Sequence, residues 1–327
     1  MMTPEKMQAL LKIEANLQES DFPPQIVCET TAVCNFRCRH CHHESLQRKK
    51  GHMTDELWTK IVEEVAEKSP DVEFWPTFYG EALVLGKRLI KKIRQARALG
   101  MTNIVLNSNG SYCTDEMNEE ILTCGLKRFI LSLDGFTKET FEHIRYTLDP
   151  KGKYEPVHEG VHKLLARKKE LDASGIETPL LICQFSQMEE NEHETEAFTD
   201  YWLSQGADVK VREKCTWTGF VPAENLTNKY EQRIACPWGN NTCAIHWNGD
   251  IVACAVDNEG RFVGGNVNEQ SIEEIWTTTM RKFRKAHREH RWDDLPEVCQ
   301  NCIDWQAVGA TYHAASGEVY HSVAAID

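Results

Sequence analysis

The chain has 327 residues, 41% of them hydrophobic and 27% charged; this is ordinary globular composition, long enough for one large (β/α) domain or two smaller ones, with no Pro-rich or Gly/Ser-rich tract that would form a disordered linker. A net charge of −13 argues against a nucleic-acid partner, because phosphate-binding surfaces are usually basic. There is no signal-peptide pattern and no run of about 18 apolar residues, so neither secretion nor a membrane span is expected, and the expected compartment is the cytoplasm.

In chain order, "MMTPEKMQALLKIEANLQES" offers Thr3 as N-cap and Pro4 at the first helical position, with Met7, Leu10, Leu11 and Leu17 at roughly helical spacing. Residues 1–25 are therefore expected to be an N-terminal amphipathic helix. Six strand-like runs follow: "QIVCETT", "VEFWPTFY", "TNIVLNS", "RFILSLD", "PLLICQFS" and "ADVKVRE". Each is β-branched or aromatic enough for a buried parallel sheet. Between them lie helical patterns such as "TDELWTKIVEEVAEK", opened by Thr54, and "RLIKKIRQARALG", closed by Gly100. Strand–helix alternation predicts an α/β fold, and six units are too few to close an eight-stranded barrel. The expected architecture is a partial (β/α)6 TIM barrel over residues 26–214, with its site in the loops at the carboxyl ends of the strands.

From 215 to 327 the strands shorten, and "CAIHWNGDIVAC" reads as a hairpin with an Asn248-Gly249 turn. A small C-terminal α+β domain is expected there. The basic run "RKFRKAHREHR" reads as a solvated or ion-paired helix face rather than an RNA site. The final stretch, "VGATYHAASGEVYHSVAAID", shows no usable pattern.

Thirteen cysteines cannot all pair, and in a reducing compartment they point first to metal ligation or catalysis. Cys34, Cys38 and Cys41 directly follow the first strand run. Three thiolates this close can face one metal centre and leave it one ligand short; iron–sulfur clusters normally take four. A structural zinc site completed by His42, His43 or a remote cysteine is the alternative. The C-terminal part supplies Cys236, Cys254, Cys299 and Cys302, which can close a four-sulfur site for zinc or an iron–sulfur cluster. Cys28, Cys113, Cys124 and Cys183 lie in strand or helix patterns and are expected in the core.

The stretch "CNFRCRHC" resembles the CxxxCxxC signature of the radical S-adenosylmethionine (radical SAM) enzymes, with His40 at the position where that family often has Tyr, Phe or Trp. The resemblance implies a 4Fe-4S cluster on Cys34, Cys38 and Cys41 whose open iron is chelated by S-adenosylmethionine. Further family-like elements close successive strands. "FYGEAL" resembles the Gly-Gly-Glu element, with Tyr79 replacing its first glycine; Gly80 would allow close backbone approach and Glu81 would accept from the methionine ammonium. "NSNG" offers Asn107, Ser108 and Asn109, "SLDG" offers Ser132 and Asp134 for ribose hydroxyls, and Gln184 is a candidate methionine-side contact. His40 would stack on or hydrogen-bond an adenine edge.

"GDIVACAVDNEGRFVGGNVNEQSIEEIW" is similar to the family's auxiliary-cluster domains, in the short twitch form. Its ligands Cys236, Cys254, Cys299 and Cys302 would hold one auxiliary 4Fe-4S cluster, because the fuller SPASM form needs more cysteines. Their spacing, with 17 residues between Cys236 and Cys254 and 44 between Cys254 and Cys299, is similar to that of a twitch dehydrogenase acting on an aminocyclitol.

The implied chemistry is reductive cleavage of S-adenosylmethionine to a 5′-deoxyadenosyl radical, then hydrogen abstraction from a sugar or aminocyclitol, giving dehydrogenation or epimerisation. Modification of a ribosomally made peptide is the alternative, although the stretch 1–25 is short for a peptide-recognition domain. A zinc-binding scaffold is the alternative of another class. The implied partners are a small-molecule or peptide substrate and a flavodoxin- or ferredoxin-type electron donor. Cys215 and Cys243 are candidate hydrogen-atom donors, Cys243 also a candidate ligand.

Overall fold

The computed structural model describes residues 3–226 and 232–322. Six strands run parallel in chain order: β1 (Gln25–Cys28), β2 (Glu73–Trp75), β3 (Val105–Ser108), β4 (Arg128–Ser132), β5 (Leu180–Gln187) and β6 (Asp208–Glu213). The β2 and β3 strands meet through a parallel bridge between Phe74 and Ile104. This is the partial barrel expected from the sequence, with the strand runs where the alternation places them. Apolar residues on both faces of these strands explain why the sheet is covered by helices on one side and filled on the other.

The helices are α1 (Pro4–Ala15), α2 (Asp55–Lys68), α3 (Lys87–Ala98), α4 (Asp115–Thr123), α5 (Lys138–Ile144), α6 (Tyr154–Ala173), α7 (Thr195–Ser204), α8 (Pro237–Asn241), α9 (Ile272–Thr277), α10 (Thr279–Arg288) and α11 (Glu297–Gln300). Capping follows the sequence signals. Thr3 accepts from the Lys6 amide and Thr54 from the Leu57 amide, and Gly100 ends its helix at φ +100°. Helix α2 turns Leu57, Trp58, Ile61, Val62 and Val65 into the main core.

The C-terminal segment binds both edges of this sheet. Strand β7 (Thr242–Ile245) pairs parallel to β1 in the register Gln25 with Thr242 and Cys28 with Ile245. Strands β8 (Asp250–Val252) and β9 (Val263–Asn266) extend it as an antiparallel meander, and the Asn248-Gly249 turn lies where the sequence predicts it, with Gly249 at φ +96°. At the other edge β10 (Ala310–His313) pairs antiparallel to β6 and to β11 (Val319–Ser322). The tail that shows no pattern in sequence is thus a hairpin that covers the open β6 edge, as exposed edges demand.

Helix α1 packs Leu10 and Ile13 on Ile234, Trp305 and Val308 of the C-terminal segment. The basic run on α10 is an ion-pair face: Arg281, Arg284 and Arg288 all reach Glu19, and Arg281 also reaches Asp21. Among the described residues no helix is long and apolar enough to cross a membrane.

Helices α4 and α6 approach closely because Gly160 has no side chain: a Cβ there would lie 2.3 Å from the Cys113 carbonyl oxygen. Helix propensity alone would favour Gly160→Ala by up to ~1 kcal/mol, but overlap with a main-chain oxygen in a packed core outweighs it. Gly160→Ala is expected to destabilise the fold by ~1–3 kcal/mol in urea unfolding.

Candidate functional site

The loop after β1 is held from two sides. Arg37 and Arg39 amides donate to the carbonyls of Tyr146 and Ile144, and the Thr147 hydroxyl donates to the Asn35 carbonyl. From the loop after β2, the Glu81 amide donates to the Val33 carbonyl at 2.9 Å. Gly80 belongs to this contact: a Cβ would lie 2.5 Å from the Thr31 oxygen and 2.9 Å from that of Val33. The close approach the glycine allows is therefore to the cysteine loop itself.

So held, Cys34, Cys38 and Cys41 line one cavity of about 310 Å³ at the carboxyl ends of the strands. Burial pushes all three thiols up, Cys38 to about 12, and each feels the others or Arg145. They are protonated until a metal displaces the proton. None of the thirteen cysteines forms a disulfide. Among the described residues, no three His, Cys, Asp or Glu groups converge as tightly as a single metal ion requires.

His40, Gly80, Glu81, Asn107, Asn109, Ser132, Asp134 and Gln184 line the same cavity. Glu81 is 2% exposed and accepts from the Leu83 and Asn109 amides and the Ser108 hydroxyl. Ser108 thus lies behind Glu81 rather than on the cavity. Burial still raises the Glu81 carboxyl above its usual range, so a cation brought to it would be held strongly. Asn107, Ser132 and Gln184 form a polar row across β3, β4 and β5: Ser132 donates to Asn107 and Gln184 donates to Ser132.

Asp134, at φ +55°, is buried and engaged by the Arg145 guanidinium, the Ser186 amide and, at 3.5 Å, His40 Nε2. Its carboxylate fixes the cavity wall before any ligand enters. Burial drives the His40 pKa down to about 4, leaving the ring neutral, and its Nδ1 is buried with no partner. A neutral ring at this cavity with an unpartnered nitrogen has the chemistry a base edge needs, and Glu81 and His40 are of the residue types that the amino and adenine ends of S-adenosylmethionine would require.

The second set lies across one wall. Cys236, Cys254, Cys299 and Cys302 line a single enclosed pocket with His287, whose two ring nitrogens are buried without partners. Each of Cys236, Cys299 and Cys302 raises the Cys254 thiol further above what burial does, so the four thiols are near neighbours around this pocket, and a four-thiolate cluster site would draw on them. Val256 lines both this pocket and the cavity.

Cys215 also lines the cavity, packs with Cys254, and is pushed up to about 12 by burial and Asp304. Cys243, by contrast, is on β7 in the main core beside β1; the structure does not bring it to the cavity or to the other four cysteines, and it fills space as a small apolar residue. Beyond Cys215, Trp217 and Thr218 adopt left-handed backbone at φ +52° and +59°. They are fixed by Asp304, which accepts from the Thr216 and Thr218 amides, and by Trp217 Nε1, which donates to the His40 carbonyl. Non-glycine residues in this region are strained and persist where the surroundings over-determine them.

The motif pattern misses Tyr79, which accepts from the Cys41 thiol, as well as Arg145, Trp217 and the basic row Lys210, Arg212 and Lys214, all at the cavity. The alternation of "KVREK" carries a signal for the last three, since residues two apart in a strand share a face.

Residues 28–180 match the radical SAM superfamily model and residues 236–303 the SPASM iron–sulfur cluster-binding domain. A tungsten-containing aldehyde ferredoxin oxidoreductase cofactor-modifying protein of Pyrococcus furiosus is 22% identical over 297 residues, covering 76% of this chain and 80% of that one. An S-adenosyl-L-methionine-dependent 2-deoxy-scyllo-inosamine dehydrogenase of Niallia circulans is 20% identical over 280 residues, covering 85% and 91%. Among solved structures, BtrN with AdoMet and 2-DOIA superposes at a TM-score of 0.59 with 18% identity over 93% of this chain and 98% of that one. Streptococcus suis SuiB bound to its precursor peptide SuiA gives 0.63 with 12% identity over 93% and 74%.

Glu81→Gln is expected to weaken S-adenosylmethionine binding by about tenfold, from loss of a charge-assisted hydrogen bond. Equilibrium dialysis of anaerobic, iron-loaded protein checks this, with iron content unchanged.

Proposed function

The chain is a radical SAM enzyme with an SPASM iron–sulfur domain, and we propose that it oxidises a small, hydroxyl-rich substrate held in the cavity between its two cysteine sets. Bound at the two sites, S-adenosylmethionine with its 4Fe-4S cluster supplies a hydrogen-abstracting 5′-deoxyadenosyl radical, and an auxiliary 4Fe-4S cluster supplies an electron acceptor. Cys34, Cys38 and Cys41 would hold the first, and Cys236, Cys254, Cys299 and Cys302 the second. Glu81 orients the methionine ammonium, His40 Nδ1 meets the adenine edge, and the row Asn107, Ser132 and Gln184 offers polar contacts along the cavity floor. Reducing equivalents come from a flavodoxin- or ferredoxin-type donor.

The observation that carries dehydrogenation is the thin wall: Val256 lines both the cavity and the four-cysteine pocket. With a cluster held by Cys236, Cys254, Cys299 and Cys302, that wall would let the electron left on substrate carbon, after loss of a hydrogen atom and a proton, pass to it, which would complete a two-electron oxidation. The substrate class the sequence resemblance implies is a sugar or aminocyclitol, and the polar side chains of Asn107, Ser132 and Gln184 at the cavity suit its hydroxyls. The relative acting on 2-deoxy-scyllo-inosamine covers most of both chains. The peptide-modifying alternative rests on likeness of fold alone.

Epimerisation is the second reading, and Cys215 favours it. A thiol held protonated at the cavity wall can return a hydrogen atom to substrate carbon. The two readings separate in heavy water: a thiol donor delivers one solvent deuterium to unoxidised product, whereas dehydrogenation gives product two electrons more oxidised.

With dithionite and S-adenosylmethionine, the anaerobic wild-type enzyme is expected to release 5′-deoxyadenosine, and Cys38→Ala to release none, measured by liquid chromatography. Wild-type protein loaded with iron that forms no 5′-deoxyadenosine would refute the reading. For dehydrogenation, Cys215→Ala should retain most product formation; for epimerisation it should abolish it.

A further inference from the structure

The inner face of the barrel carries three cations on its β6 side, of which Lys210 lies over the Trp75 and Tyr312 rings. The pleat of β6 directs Lys210 and Arg212 to one face, Lys214 follows directly after the strand, and all three line the cavity. Val209 and Val211 point the other way, into the main core. Across the sheet Arg212 lies in register with Ser186 of β5 and Ala310 of β10, and Lys210 with Gln184 and Tyr312. The basic row therefore runs up the wall toward His40, and the positive field of Arg212 and Lys214 reaches that ring.

The acids lining the cavity are committed elsewhere. Glu81 is occupied by the Leu83 and Asn109 amides and the Ser108 hydroxyl. Asp134 is paired with Arg145. Glu213 turns its carboxylate to Lys6 and Asn225. For Lys214, only 9% exposed, the carboxylate within reach is Glu189 at 4.0 Å. For Arg212 the described contact is its Nε to the Glu213 carbonyl at 3.4 Å. A buried ammonium with so distant a carboxylate, beside a half-buried guanidinium with no carboxylate at salt-bridge distance among the described residues, is costly unless something pairs with it. The cysteine loop does not need them, since Arg145 is the cation that faces Cys38 and Cys41.

We propose that the substrate carries an anionic group, a carboxylate or a phosphate, bound by Arg212 and Lys214. The inference rests on the cavity being the substrate site of this radical SAM enzyme and narrows the substrate class within it. A guanidinium fork beside an ammonium is the pairing that planar or tetrahedral oxyanions select. A protonated amine on the same part of the substrate would be repelled, so an acidic or phosphorylated sugar suits this wall better than an aminocyclitol.

The test is calorimetric titration of the anaerobic holoenzyme, saturated with S-adenosylmethionine, with inorganic phosphate, gluconate and glucosamine. At least one of the two anions should bind, and Arg212→Met and Lys214→Met should each weaken it by about tenfold or more. Lys214→Arg should retain binding, and the surface control Lys285→Met should leave it unchanged. Phosphate alone identifies a phosphorylated substrate, gluconate alone a carboxylate. Arg212→Gln and Lys214→Gln replace any methionine variant that fails to take up iron.

Failure of both anions to bind, tighter binding of glucosamine, or loss of S-adenosylmethionine affinity in parallel with anion affinity would each overturn the proposal; the last would assign the cations to the cofactor. Release of 5′-deoxyadenosine by the same wild-type preparation reports separately on the radical reading.

Discussion

Strand β1 is hydrogen-bonded along both edges, to β2 on one side and to β7 on the other, and the rest of the site depends on that double pairing. The first cysteine loop leaves the end of β1, while Cys236 lies just before β7 and Cys254, Cys299 and Cys302 follow the hairpin that β7 begins. One strand thus fixes the distance between two sulfur sites far apart in sequence. A buried polar chain reinforces it: Thr242 donates to Gln25, Gln25 to Glu73, and Glu73 is closed by Trp75 and Arg128. Each of Thr242, Gln25 and Glu73 is paired in this chain, and Arg128 closes it through its terminal nitrogen, an arrangement that favours one register over its alternatives.

Around the cavity, charge is distributed by function. Asp134 and Arg145 neutralise each other and hold the cysteine loop, with Arg145 also over the Phe36 ring. Glu81 is a buried carboxylate fed by neutral donors only, which leaves it in want of a cation. Arg212 and Lys214 are in want of an anion. Below them Val105, Ile130, Ile182 and Tyr312 plug the barrel floor, so ligands enter from the loop end and meet these charges in a low-dielectric space where pairing is strong.

The sequence was most legible where chemistry forces residue type. The cysteine spacing and Glu81 stand out in the sequence, because thiols and carboxylates at loop ends have few structural reasons to be there, and the structure brings Cys34, Cys38, Cys41 and Glu81 to one cavity. The alternation of strands and helices gave the barrel in the same way. The β10–β11 hairpin was not legible, since its strands are short, polar and half exposed and their partner, β6, lies about a hundred residues earlier in the chain. Ser108 is hydrogen-bonded to Glu81, and Asp134, at the cavity wall, to Arg145; no local pattern distinguishes a residue that touches a ligand from one that positions its neighbour. Arg145 was invisible for a related reason: it is defined by the carboxylate it neutralises.

Two separate cysteine sets, joined through β1, flank one cavity, and each would hold one iron–sulfur cluster. The most direct measurement is iron and acid-labile sulfide per chain after anaerobic reconstitution, for wild type, for the Cys34, Cys38 and Cys41 triple alanine variant, and for the Cys236, Cys254, Cys299 and Cys302 quadruple alanine variant. The account predicts about eight iron atoms, falling to about four in either variant. Zinc in place of iron, or iron content unaffected by one of the two replacements, would contradict it.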